Sequence, residues 1–296
     1  MAFVHFVIAG RNDNHGFVTN RETGEWNGQG TFKDKIIAVM KWNHALFMAV
    51  GLAHRFVFVE WGQFVGPTGP RDWLSPELAA AVDTCHCIEV PDAIVVHKQK
   101  PPVSFTEFAA KNVGLVRCKP FRANTPYRQA DPNELLVATN SDVFFPPDCV
   151  TWLRDLVVAH EQIYRCQRKD FSSPDMTPNV TRWLRMSGPT EAAGDFTAAT
   201  WNTWNNLRGY VECPYSCRHL DSEFCVTGGQ RTGRDFIFGP PVWHRDHPDS
   251  TGYSPTLASL GGGAATGDRN KYNQHWGLSD HNEEPVMARV VRLVPR

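Results

Sequence analysis

The segment LLVATNSDVFF, residues 135–145, constrains the chain more than any other. Its apolar run stops at Asn140-Ser141-Asp142 and then resumes. Such a run, nearly free of polar residues, predicts a central strand of a sheet covered on both faces. A carboxylate at the C-terminal end of such a strand stands where open α/β sheets bind their ligands. Asp142 at that place can hold a divalent cation, and the cation a diphosphate. The same pattern also fits an ordinary strand followed by a Ser/Asp turn.

The rest of the chain predicts elements in alternation. Residues 3–9 read as a first strand, ending in the polar loop 10–16, and 17–35 is rich in Gly, Asn and Thr. Residues 36–53 carry apolar positions at helical spacing. The segments 55–61 and 87–90 read as strands two and three, with a short helix between them that starts at Pro76. A helix is expected over 105–117, then the 135–145 strand, a helix over 149–160 capped by Asp148, and a strand at 163–168. This alternation predicts an α/β fold with a Rossmann-like, mostly parallel central sheet flanked by helices.

The C-terminal half reads as an elaboration of that sheet. A polar stretch (172–190) leads to AAGDF, then to a helix over 197–209 closed by Gly209, a helix beginning at HLDSEFCV, a strand at 236–244, and a long polar segment 248–284. No linker interrupts these elements, so one domain over 1–296 is expected, with halves at 1–145 and 146–296.

Composition narrows the partners. With 42% hydrophobic and 21% charged residues and a formal net charge of −1, the chain lacks the basic surplus of a nucleic-acid binder. No run reaches the ~18–20 apolar residues of a membrane span. The start, MAFVHFVIAG, has no basic n-region and reads as a core strand, so a cytoplasmic location is expected. Cys213, Cys217, His219 and Cys225 have no tight zinc-knuckle spacing, so buried, reduced thiols are the preferred reading of the eight cysteines.

Taken together, FVIAGRNDNHG, FVFVEW, FAAKNVGLVR, LLVATNSDVFF, AAGDF, NLRGY, HLDSEF and PVWHRDH, in that order, resemble the glycosyltransferases of the A-type fold, in their large family-2-like group. The pieces span residues 3 to about 247. The resemblance implies a nucleotide-sugar-binding half and an acceptor-binding, catalytic half.

It also implies roles for single residues. Arg11, Asp13 and Glu60 would hold the nucleoside, although Glu60 equally fits a solvated strand end. Lys111, Asn112 and Gly114 would lie on the helix facing the diphosphate. Asn140 and Ser141 belong to the donor site, and Asp142 matches the last acid of the Asp-x-Asp metal motif. Asn140 stands where the first acid is expected, leaving the motif one charge. His247, or His244 close behind it, would complete a Mn²⁺ or Mg²⁺ site. Asp195 would face the sugar or acceptor. Asp221 is the expected general base of an inverting transfer, and Glu223 its substitute. Helix capping explains both acids as well. Among the ten tryptophans, Trp201 and Trp204 suit the core, while Trp61, Trp243 and Trp276 suit sugar stacking. The segment 261–281 reads as a lid over the donor.

The implied substrates are a nucleoside-diphosphate sugar donor and a hydroxyl acceptor on a glycan or glycoconjugate. A nucleotidyltransferase fits poorly, because GRNDNHG lacks a basic triphosphate loop. A hydrolase built on His244, Asp246 and His247 and a non-catalytic sugar-nucleotide-binding protein remain as alternatives.

Overall fold

Two parallel neighbours, β1 (Phe3–Gly10) and β6 (Glu134–Thr139), form the middle of the molecule. Their side chains alternate between two apolar cores. Val4, Phe6, Ile8, Leu135 and Val137 enter one, and Val7, Ala9, Leu136 and Ala138 the other. Burial on both faces is why the 135–138 run is continuously apolar. The computed structural model describes residues 2–12, 32–63, 65–66, 69–70, 72–98, 105–118, 134–171, 180–184, 188, 190–214, 220–245 and 273–295.

Within these residues β1 is followed by α1 (Phe32–Val50), β2 (His54–Trp61), the two-residue strands β3 (Val65–Gly66) and β4 (Gly69–Pro70), α2 (Ser75–Ala81), β5 (Cys85–Val90), α3 (Asp92–Lys98) and α4 (Glu107–Arg117). After β6 come β7 (Val143–Phe144), α5 (Pro147–Asp155), β8 (Tyr164–Phe171), β9 (Val180–Leu184), β10 (Phe196–Thr200), α6 (Trp201–Leu207), α7 (Leu220–Thr232) and β11 (Ile237–Arg245). A 3₁₀ turn (Trp276–Leu278), β12 (Asn282–Met287) and β13 (Val290–Val294) close the chain. No helix among the described residues is long and apolar enough to cross a membrane.

The large sheet has the order β12-β13-β5-β2-β1-β6-β10-β8-β11-β7, with β9 beside β8. Pairing from β13 to β6 is parallel, and β10 then enters antiparallel to both β6 and β8. The fold is therefore α/β, a Rossmann-like parallel half continued by an elaborated, mixed C-terminal half. That is the architecture the resemblance implies. Helices α1, α2 and α5 cover one face, and α4, α6 and α7 the other.

Several boundaries differ from expectation, each for a local reason. Helix α1 starts one turn early, at Phe32, because Lys35 is a buried charge that interrupts the apolar pattern. Residues 197–200, expected to be helical, belong instead to β10 (Phe196–Thr200). All five residues of the strand are buried, and they pair with β6. The helix begins only after Thr200, whose hydroxyl accepts from Thr203 N. Its end is as expected: Gly209 has φ +60°, and its N–H donates to Trp204 O.

Pro146, not Asp148, is the N-cap of α5, which ends at Asp155 rather than 160. The polar stretch 172–190 contains β9. The closing hairpin was not expected, because all of β12 is exposed and only β13 carries fully buried apolar residues, Val290 and Leu293. The seven described cysteines are free and buried, whereas Cys217 and His219 lie outside the described residues.

Candidate functional site

Strand register gathers the polar residues. Phe196 pairs with Thr139, so Asp195 lies beside Asn140 at the end of β6. On β11, His244 pairs with Asp170 of β8 on one side and with Val143, next to Asp142, on the other. Residues distant in sequence thus meet at the C-terminal end of the central strand.

They form one chain of charges and amides. The Lys111 ammonium is 2.5 Å from Glu107 Oε1 and donates to Asn140 Oδ1 at 2.6 Å and Gly194 O at 3.0 Å. Asn140 Nδ2 donates to Asp195 Oδ1 at 2.9 Å. Arg168 donates from Nη1 to Asp195 Oδ2 (3.0 Å) and from Nε to Asp170 Oδ1 (2.5 Å). His244 closes the series, with Nδ1 2.9 Å from Asp170 Oδ1 and Nε2 3.3 Å from Asp142 Oδ2.

The charges shift one another strongly. Burial alone would lower the His244 pKa, but Asp142 and Asp195, with the bonds to Asp142 and Asp170, raise it to about 10. Burial would raise Asp170, yet bonds from His244 and Arg168 pull it down to about 2. Lys35, from the first turn of α1, is drawn down to about 7 by burial and by Arg245, with Asp142 opposing. Asn43 of α1 fixes the strand after Asp142, donating to Val143 O and accepting from Phe145 N.

Asp221 and Glu223 occupy the first turn of α7. A β-carbon built on Gly194 would be 3.4 Å from Asp221 Oδ2 and 3.7 Å from Asn140 Nδ2, so Asp221 faces the site across Gly194. Glu223 instead accepts from Thr227 Oγ1 at 2.7 Å, one turn along its own helix. Ser141 is buried beside Asp142, and Arg11 stands half-buried just past β1. Asp13, Asp246, His247 and residues 261–272 lie outside the described residues.

Other expected site residues have structural tasks. Asn112 bonds Tyr210 through both its donor and its acceptor, and also Glu212, which ties α4 to residues 210–212. It does not face a diphosphate. Gly114 faces the sheet, where a β-carbon would lie 2.5 Å from Val7 Cγ1, so its task is close helix–sheet packing. Trp61 and Trp276 are core residues, while half-buried Trp243 stands 6.2 Å from Trp42. Trp204, as expected, is core, stacked on Phe224.

Residues 273–281 are fastened to the body. Asn273 bonds Arg208 O and Tyr210 O, and Arg117 bonds Gly277 O and Leu278 O. This part of the expected lid is bonded to α4 and to residues 208–210.

Glu60 is neither solvated nor turned toward a ligand. Its carboxylate accepts from Leu74 N, Ser75 N and Ser75 Oγ at 2.7–2.8 Å, holding the start of α2. Burial pushes its pKa up to about 7 against these three bonds. Because the folded value lies above the ordinary carboxyl value of 4.5, this group's contribution to stability is full below 4.5 and is lost as pH rises through about 7. Glu60→Gln offers one acceptor to these donors and is expected to cost about 1–3 kcal/mol at acidic pH. It should also flatten the pH dependence between 4.5 and 7 in chemical denaturation. A variant as stable as wild type at pH 5 would contradict this role.

Lys35, Glu107, Arg168, Asp170 and Arg245 were not foreseen. The available signal was Arg168-Lys169-Asp170 prolonging a predicted strand, which puts Arg168 and Asp170 on one face.

No protein-family model matches the chain, and no curated protein sequence matches it. Among solved structures the chain is similar to the catalytic domain of Drosophila β1,4-galactosyltransferase 7 in complex with xylobiose. The identity is 7% and the TM-score 0.44, over 100% of this chain and 95% of that one. It is also similar to a mutant of that Drosophila enzyme in complex with manganese, UDP-Gal and xylobiose. There the identity is 9% and the TM-score 0.46, over 100% of this chain and 95% of that one.

Proposed function

We propose that the chain is a metal-assisted glycosyltransferase, moving a sugar from a nucleoside-diphosphate donor to a hydroxyl of a carbohydrate or glycoconjugate. One observation carries the reading. Asp142, at the C-terminal end of the central strand, is paired with an imidazole whose other nitrogen is anchored by a second carboxylate, Asp170. A carboxylate behind a ligating histidine fixes its ring and raises its basicity toward a cation.

Among the described residues no group of three or more His, Cys, Asp and Glu is arranged to hold a metal ion. The donor set is nevertheless of the right chemistry. Asp142 and His244 would hold Mn²⁺ or Mg²⁺, the imidazole giving up its Nε2 proton as the cation binds, with further positions for the donor's oxygens and for His247. When bound, the cation supplies positive charge against the departing diphosphate.

The remaining roles belong to side chains. Lys111 and Asp195 orient the Asn140 amide from both ends, and Arg168 fixes Asp195. With both its oxygens so held, Asp195 is an anchor rather than a base. Asp221 takes the proton of the acceptor hydroxyl as its oxygen attacks the anomeric carbon. The bond from that carbon to the diphosphate breaks, the diphosphate leaves with the electron pair, and the configuration inverts. Glu223, engaged by Thr227, is less well disposed for this. Arg11 and Asp13 remain the candidates for the nucleoside.

The neutral Asn140 favours a second reading, a sugar-nucleotide-binding protein without catalysis. The two separate in one assay: release of nucleoside diphosphate from UDP-, GDP- and dTDP-sugars with Mn²⁺ and a panel of sugar acceptors, with product configuration read by NMR. An inverted glycoside supports transfer, a retained one removes Asp221's role, and no product with any donor favours the binding protein.

A further inference from the structure

Two basic side chains come to Asp142 from separate elements. Lys35 lies in the first turn of α1, and Arg245 is the last residue of β11, where its backbone N–H donates to Asp142 O at 3.1 Å. They are only 6% and 7% exposed, and both interact electrostatically with Asp142. The His244 imidazole, 3.3 Å from Asp142 Oδ2, makes a third basic group around one carboxylate. Behind it, Arg168 is shared between Asp170 and Asp195. With Lys111 and Glu107, which join the series through Asn140, the cluster has five basic side chains and four carboxylates, and position 140 adds no charge.

Lys35 and Arg245 weaken the pull of Asp142 on a cation without abolishing it, and they attract anions. A polyanion is well served. Helix α1 follows β1, so its N-terminus opens at the same end of the sheet as Asn140, and its amide dipoles favour negative charge.

We propose that Lys35 and Arg245 bind the donor's diphosphate directly, so that nucleoside-diphosphate binding survives removal of the divalent cation. The inference rests on the glycosyltransferase reading and adds a metal-independent anion subsite to it. Ammonium and guanidinium groups suit phosphate oxygens, the guanidinium in bidentate fashion.

The test is calorimetric titration with UDP, GDP, dTDP and inorganic pyrophosphate, in EDTA and in Mn²⁺. Wild type is expected to bind one nucleoside diphosphate in EDTA, with pyrophosphate competing for the site. Lys35→Met and Arg245→Met each weaken that binding by about tenfold or more, the size of one charge-assisted hydrogen bond. Both variants remove a buried charge, and thermal melting checks that they fold.

Asp142→Asn gives an effect of opposite sign. Removing the carboxylate that faces the two cations should tighten metal-free diphosphate binding while weakening the Mn²⁺-dependent part. Binding in Mn²⁺ but not in EDTA would overturn the subsite alone, as would wild-type affinity in both methionine variants. No binding of any nucleotide under either condition would remove the subsite and the glycosyltransferase reading together.

Discussion

Asp221→Asn is expected to lower the rate of sugar transfer by about 10²–10⁴-fold, the usual contribution of a positioned general base. The amide keeps the size and the hydrogen bonding of the first turn of α7 but cannot take the acceptor's proton. Because Asp221 faces Asn140 across Gly194 rather than pairing with a buried cation, fold and donor affinity should change little. The measurement is kcat with saturating donor, together with the donor dissociation constant. A fall in kcat with the donor constant preserved is the expected result. Unchanged kcat would move the base elsewhere, first to Glu223. If the chain only binds sugar nucleotides, the substitution has nothing to abolish.

Arg168→Met carries the largest expected effect on stability. Its guanidinium lies between Asp170 and Asp195, whose side chains are 2% and 4% exposed. Removing the cation leaves Asp170 with His244 and Asp195 with the neutral Asn140 amide, and breaking a buried pair from one side costs about 3–5 kcal/mol. Lysine should not rescue it, since one ammonium cannot reproduce the two-pronged geometry. The double variant Arg168→Met/Asp195→Asn should recover part of the loss, because the orphaned charge is gone. Urea denaturation checks this. A single variant within about 0.5 kcal/mol of wild type would mean that water or another cation already satisfies the two acids.

Both expectations depend on features of unequal visibility in the sequence. The central strand was legible because burial on both faces leaves its interior, Leu135 to Ala138, without a polar residue, so composition alone marks it. The interruption at Asn140-Ser141-Asp142 then placed Asp142 at the strand's end, where it is found. Asp195 was legible only through its resemblance motif, and the structure gives the cause: the antiparallel register of Phe196 with Thr139.

The remainder was hidden in specific ways. Lys35 and Asp170 are charges at positions that otherwise read as the edge of an apolar pattern, so periodicity ended each element before reaching them. Strand β10 was mistaken for helix because Ala and Thr are small enough for both, and only pairing with β6 decides. Asn112 and Gly114 carried the right motif with the wrong inference. They lie on the predicted helix, but Asn112 staples it to residues 210–212 and Gly114 lets it approach Val7. Position on a helix says which residues travel together, and not which of them meets a ligand.

The most direct measurement is thermal stability against UDP, GDP and dTDP and their sugars, with and without Mn²⁺, for wild type and Asp142→Ala. A ligand at 100 times its dissociation constant adds ~2.7 kcal/mol of stability, a readily visible shift. The account predicts a shift with one base, larger with Mn²⁺ in wild type, and no Mn²⁺-dependent increment in Asp142→Ala. No shift with any nucleotide, or an Mn²⁺ increment that survives loss of Asp142, would contradict the donor site at the end of the central strand.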